Sequence, residues 1–280
     1  MKKISRFAGI GTALLLASMS ASAIVTQWDY TVDSAFTAAT YVGSGGNPTT
    51  TFPATTLSWG IPVNGSQSSL VVGNNPALGT VTTYLGTTPP QTGIYLGNST
   101  SLTHNNRVIQ GGSSSLRTAV LTNTVTLDPL NPNNPALAPQ IVPFNISFTE
   151  TTNAGTCAAT SPAGNPCNDI FVLTGGLLNF SFDYDAGDAD GLREYFVNIF
   201  PTTGGVLSVL EDTACAAALV SNGCIGFTTP EGADTTLAFG FTISTNRLEI
   251  PEPGSMALIG LALLGLGATG RRQRKTVSPI

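Results

Sequence analysis

Apolar and polar residues alternate with a period of two along much of the middle of the chain. Phe144-Asn145-Ile146-Ser147-Phe148 and Phe180-Ser181-Phe182-Asp183-Tyr184 are the cleanest runs. Each reads as an antiparallel strand with one face in a core and the other in water. β-Branched runs bounded by Gly, Pro, Asn and Ser predict strands near 25–32, 56–61, 69–72, 116–127, 141–149, 170–173, 178–184, 195–200, 206–210 and 237–244. No long segment of period 3.6 occurs between the two ends of the chain. The predicted fold class is therefore all-β: an antiparallel β-sandwich, jelly-roll or immunoglobulin-like, in one domain over 24–249. Irregular loops are expected at 43–55 and at 128–139, where Asn-Pro repeats.

The ends follow another pattern. Lys2, Lys3 and Arg6 precede an apolar run over 7–19, and Ala21-Ser22-Ala23 closes it. A positive start, a short greasy centre and small residues at the cut predict a signal peptide over 1–23, cleaved after Ala23. At the other end, Pro251-Glu252-Pro253-Gly254 opens an uncharged stretch that runs to Gly270, followed by Arg271-Arg272-Gln273-Arg274-Lys275. As a helix, the 18 uncharged residues from Pro253 to Gly270 span roughly 27 Å at ~1.5 Å per residue, with the transmembrane helix itself expected over 254–270. That nearly matches a hydrocarbon core of about 30 Å, and the arginines can snorkel across the remainder. A transmembrane helix with its cationic end in the cytoplasm is the expectation.

Charge separates body from ends. Between 24 and 250 the chain has four arginines, no lysine and fifteen carboxylates, a formal net charge of −11. A nucleic-acid partner is excluded, because phosphates need cations to neutralise them. An exported body also allows disulfides. Four cysteines permit three pairings. The local pairs Cys157–Cys167 and Cys215–Cys224 are expected, because short separations keep the thiols close even in the unfolded chain.

Candidate chemistry is sparse. His104 is the only histidine. No GxSxG, HExxH or paired-cysteine zinc motif accompanies it, so it reads as a structural residue of a turn and the protein as no enzyme. The acidic stretch Asp183, Asp185, Asp188, Asp190 and Glu194 offers hard oxygen ligands at spacing two, which suits Ca²⁺. Its fit to a helical calcium loop is partial, since Asp188 stands where glycine is required. The alternative is a hairpin tip whose Asp and Gly residues make the turn. No other cofactor is expected. Trp28 and Trp59 are sugar-stacking or core residues.

Two resemblances sharpen these expectations. The proline–glutamate–proline triplet Pro251-Glu252-Pro253, the Gly-rich apolar segment and the Arg271-Arg272 cluster resemble the PEP-CTERM protein-sorting domain of Gram-negative bacteria. The resemblance implies exosortase as partner and membrane anchorage through the C-terminal helix before processing. It then implies delivery to the cell surface or to the exopolysaccharide matrix of a biofilm. Thr103-His104-Asn105-Asn106 followed by Arg107-Val108-Ile109 resembles the signature of the THxN family of PEP-CTERM proteins. Ser58-Trp59-Gly60, Ser68-Ser69-Leu70 and the segment from Cys224 to Glu231 fit the same pattern, which implies no known reaction. The expected function is a structural or adhesive surface protein. The alternatives are a Ca²⁺-assisted carbohydrate-binding module and a surface hydrolase using aspartates of 183–194 as a carboxylate pair.

Overall fold

A computed structural model describes residues 24–175, 178–187, 191–202 and 208–249. The signal peptide and the transmembrane helix expected at the ends lie outside the described residues. Among the described residues no helix is long and apolar enough to cross a membrane.

Strands dominate: β1 (Gln27–Val42), β2 (Thr56–Trp59), β3 (Ser68–Gly73), β4 (Ala77–Thr82), β5 (Gly97–Asn105), β6 (Ser115–Asn131) and β7 (Gln140–Thr149). They continue with β8 (Asp169–Gly175), β9 (Phe180–Asp185), β10 (Leu192–Pro201), β11 (Ser208–Val209), β12 (Ile225–Thr229) and β13 (Asp234–Ser244). The one helix among them, α1 (Asp212–Ala217), is short. One sheet has the order β11-β12-β8-β7-β6-β1-β4 and the other β2-β3-β5-β13-β10-β9, with all strand pairs antiparallel. The arrangement is sandwich-like, as the alternation predicts. Its strand count exceeds both the immunoglobulin and the eight-strand jelly-roll plans.

The period of two sets the faces. In β1, Trp28, Tyr30, Val32 and Phe36 are buried, and Asp29 and Thr37 face out. In β9, Phe182 and Tyr184 are buried and Asp183 and Asp185 exposed. Aromatic pairs tie the sheets together. Tyr30 of β1 stacks on Phe241 of β13 at 4.4 Å, and Trp28 meets Phe182, Tyr184 and Tyr195 edge-on. The outer faces are zipped by threonine pairs, Thr37–Thr122 at 2.8 Å and Thr40–Thr118 at 2.6 Å across β1 and β6, a cross-strand contact that stabilises sheets modestly.

Both disulfides pair as expected, Cys157 with Cys167 and Cys215 with Cys224. The second joins α1 to the start of β12, beside a small cluster of Ile170, Val172, Ala214 and Ala218.

Sequence reading and structure part at three strands. β4, β5 and β12 were not expected. The turn expected around His104 is instead the end of β5. Its Ser, Thr and Asn residues mask a strand in which Ser99, Thr100, Leu102 and His104 are buried. Asp128, expected in a loop, lies inside β6.

Candidate functional site

Several strand ends meet at one pole of the sandwich. β2 ends at Trp59 and β5 at Asn105; β7 ends at Thr149; β12 ends at Thr229, opposite Asp169, the first residue of β8. Asp234 opens β13 opposite Asn105. The ladders thus deliver Trp59 and His104 from one sheet, and Glu150 and Asp169 from the other, to the same place. Glu231 arrives from the turn between β12 and β13.

The aromatic floor of this pole is dry. Trp59 and His104 stack with ring centroids 5.6 Å apart and planes 15° from parallel. Phe148 and Phe171 of the opposite sheet contact His104 at 5.4 and 4.9 Å. His104 Nδ1 is 2.8 Å from Thr229 Oγ1, and its Nε2 is buried without a partner. Burial, reinforced by the positive charge of Arg107, lowers the imidazole to about 3. His104 is therefore neutral at physiological pH. Asn106 follows; its amide nitrogen donates to the carbonyls of Thr229 and Pro230, and its Oδ1 is buried with no donor.

Above this floor stand three carboxylates. Glu150, Asp169 and Glu231 each place an oxygen within 4.8 Å of the others. Trp59 Nε1 donates to Glu150 Oε2 at 3.0 Å. The Thr151 amide donates to Asp169 Oδ1 at 2.8 Å, while Asp169 Oδ2 is buried with no donor. Both oxygens of Glu231 are likewise buried and unpartnered, the nearby Gly232 amide falling short of hydrogen-bond geometry. No ion pair reaches any of the three among the described residues; Arg107 is engaged with Asp234 at 2.6 Å. Burial raises Glu150 to about 7, the Trp59 donor opposing the shift and the charge of Glu231 adding to it. Burial and then the charge of Glu150 push Asp169 well above the usual carboxylate range. Burial raises Glu231 as well. Like charges held together out of water must be neutralised by protons or by a cation.

The loop that carries Asp169 is anchored. Thr151 Oγ1 donates to the Cys167 carbonyl at 3.0 Å and to that of Asn168 at 3.2 Å, so the Cys157–Cys167 disulfide stands two residues from the site. A cleft of about 540 Å³ between the 109–115 and 150–153 segments is lined in part by Glu150.

The other candidate residues lie elsewhere. Asp183 and Glu194 are directly opposed on β9 and β10, exposed on the outer face. Asp185 Oδ1 accepts from the Gly187 amide at 2.8 Å, the local bond of a turn. Asp188 and Asp190 lie outside the described residues, as do Pro251, Glu252, Pro253, Arg271 and Arg272. Trp28 and Trp59 are both fully buried, so neither presents a face for a sugar to stack on. Thr103 faces outward and pairs with Thr236 at 2.8 Å, and Asn105 donates to Ser69 at 2.9 Å. Of Thr103, His104, Asn105 and Asn106, His104 and Asn106 are the buried pair at the pole.

Sequence reading missed Glu150, Asp169 and Glu231 as a group. They are single acids far apart in the chain, and no spacing links them. The available signal was an acid directly abutting an apolar run, as Asp169 precedes Ile170-Phe171-Val172-Leu173.

No curated protein matches the chain. Residues 249–275 match the PEP-CTERM protein-sorting motif, and this motif indicates an exosortase-targeted extracellular protein.

Proposed function

We propose that the sandwich serves in a structural or adhesive role at the cell surface or in the exopolysaccharide matrix, without catalysis. The observation that carries this reading is the sorting motif at 249–275, joined to a lysine-free body of net charge −11. Exosortase recognises the tail in the inner membrane of a Gram-negative cell, cuts near Pro251-Glu252-Pro253 and passes the body outward. A non-catalytic role is supported by His104, whose imidazole is buried and too weak a base to take a proton from a substrate in solution. Membership of the THxN family is supported by the meeting of Trp59, His104, Asn106 and Glu231 at one pole, since those residues come from three separate stretches that resemble that family.

The test is cell fractionation with mass spectrometry of the mature termini. A body found outside the cell, starting at Ile24 and lacking residues beyond about 253, is expected. Full-length protein in the cytosol overturns the reading. A second reading, a Ca²⁺-assisted carbohydrate-binding module, is favoured by the exposed acidic face of Asp183, Asp185 and Glu194. A glycan array with and without EDTA separates the two: binding lost in EDTA selects the module, and no binding in either selects the matrix role.

A further inference from the structure

We infer that Glu150, Asp169 and Glu231 form a calcium site at the Trp59 pole, distinct from the acidic hairpin at the opposite pole. Three features of the geometry carry it.

The first is spacing. Ca²⁺ bonds oxygen at about 2.3–2.6 Å, so two oxygens on one ion are at most ~5 Å apart; Mg²⁺, at about 2.0–2.1 Å, holds them within ~4.2 Å. Carboxylate oxygens gathered within 4.8 Å of one another fall inside the Ca²⁺ limit, and a small closing movement of the side chains brings all three to bonding distance. An all-oxygen set with no sulfur or imidazole is hard, which also selects Ca²⁺ over zinc or copper.

The second is missing partners. Asp169 is fully buried, yet its Oδ2 has no donor, while its other oxygen is held by the Thr151 amide. Glu231 has two buried oxygens without a donor. Buried acceptors are nearly always satisfied, and three such oxygens on neighbouring acids mark a place built for a cation. Asn106 Oδ1, also buried and donorless, belongs to a residue bonded to the carbonyl of Pro230, next to Glu231. The Trp59 and Thr151 donors fix Glu150 and Asp169 through one oxygen each, orienting the carboxylates as outer partners orient metal ligands.

The third is access. The cleft between 109–115 and 150–153 reaches Glu150, one of the three acids, and an exported protein meets free Ca²⁺ at concentrations that fill weak extracellular sites. The inference does not depend on the matrix role.

The two poles are separable. Trp28 contacts Tyr184 of the hairpin, and β1 runs from Trp28 to Val42 at the cleft, roughly 46 Å along the strand at ~3.3 Å per residue. Each tryptophan therefore reports on its own pole.

The test uses purified full-length protein in detergent, stripped with EDTA. Adding 10 mM Ca²⁺ is expected to raise Tm by roughly 5–10 °C if that is about a hundredfold over Kd, with a smaller rise in Mg²⁺. Tb³⁺ is expected to emit on tryptophan excitation, to be displaced by Ca²⁺, and to lose that emission in Trp59→Phe but not in Trp28→Phe. Glu231→Gln, at a turn where folding is little disturbed, is expected to abolish the Ca²⁺ shift. Asp183→Asn with Asp185→Asn is expected to leave it intact. No shift and no Tb³⁺ emission in the unaltered protein overturns the site. So does an unchanged shift in Glu231→Gln, or a shift lost in the hairpin variant.

Discussion

Trp59 and His104 are stacked between the sheets, and the indole that covers the imidazole also donates to Glu150. One side chain thus closes the dry floor and orients the first carboxylate above it. Trp59→Phe keeps a ring on His104 but removes the donor together with the smaller ring of the indole. A loss of about 1–3 kcal/mol in urea unfolding is expected, since the acceptor is a carboxylate. Trp59→Ala also empties the floor and is expected to lose about 3–5 kcal/mol.

The neutral, buried His104 predicts a pH dependence with a definite sign. Its folded value, about 3, lies below the ordinary 6.5. Between those values the unfolded chain binds a proton that the folded one refuses. His104 therefore costs nothing above pH 6.5, and stability falls as the pH drops from 6.5 towards 3. The raised carboxylates act oppositely, since the folded state keeps their protons as pH rises through the usual carboxylate value. Unfolding free energies of the unaltered protein and His104→Gln, subtracted across pH 3–8 in EDTA, isolate the imidazole. A difference that is flat from 6.5 down to 3 contradicts its burial as a neutral base.

Gly226 of β12 has no room for a side chain. A Cβ there would stand 1.9 Å from the Phe171 carbonyl oxygen, in a ladder where Phe171 and Phe227 stack at 4.7 Å. Backbone cannot yield as a side chain does. Gly226→Ala is expected to cost on the order of 3 kcal/mol or more, measured by chemical unfolding.

Each disulfide closes a short loop, with sequence separations of 10 and 9. Replacing either pair by serine is expected to lower stability by roughly 2–3 kcal/mol through the entropy of the unfolded chain. The Cys157/Cys167 pair is expected to weaken Ca²⁺ binding as well, because Thr151 links the Cys167 carbonyl to Asp169. Isothermal titration of the two variants distinguishes the effects.

The strands that the sequence reveals are those whose buried positions are apolar. β7 and β9 announce themselves through Phe144, Ile146, Phe148, Phe182 and Tyr184. β5 does not, because the sandwich buries Ser99, Thr100 and His104 there and satisfies Thr100 through Ser34 of the facing sheet at 2.9 Å. A period of two written in polar residues is invisible to hydropathy. The helix α1 is too short for a periodic signal and is pinned by Cys215 and Cys224. The acidic hairpin was legible because its acids are adjacent. The buried carboxylates were not, because only the ladder registers bring Glu150, Asp169 and Glu231 together.

The placement of the four arginines has a further consequence. Arg107 is ion-paired to Asp234, and Arg117 and Arg193 lie inside β6 and β10. Arg247 is exposed in the segment after β13, its guanidinium over Phe196 at 5.2 Å. With no lysine in the body, a trypsin-like protease has only these four bonds to attack, and the one after Arg247 is held shut, because Leu248 is buried and both its backbone groups are bonded to Asn179. The layout of cations thus leaves the folded body few places where such a protease can cut it, which suits a protein that must last among secreted enzymes.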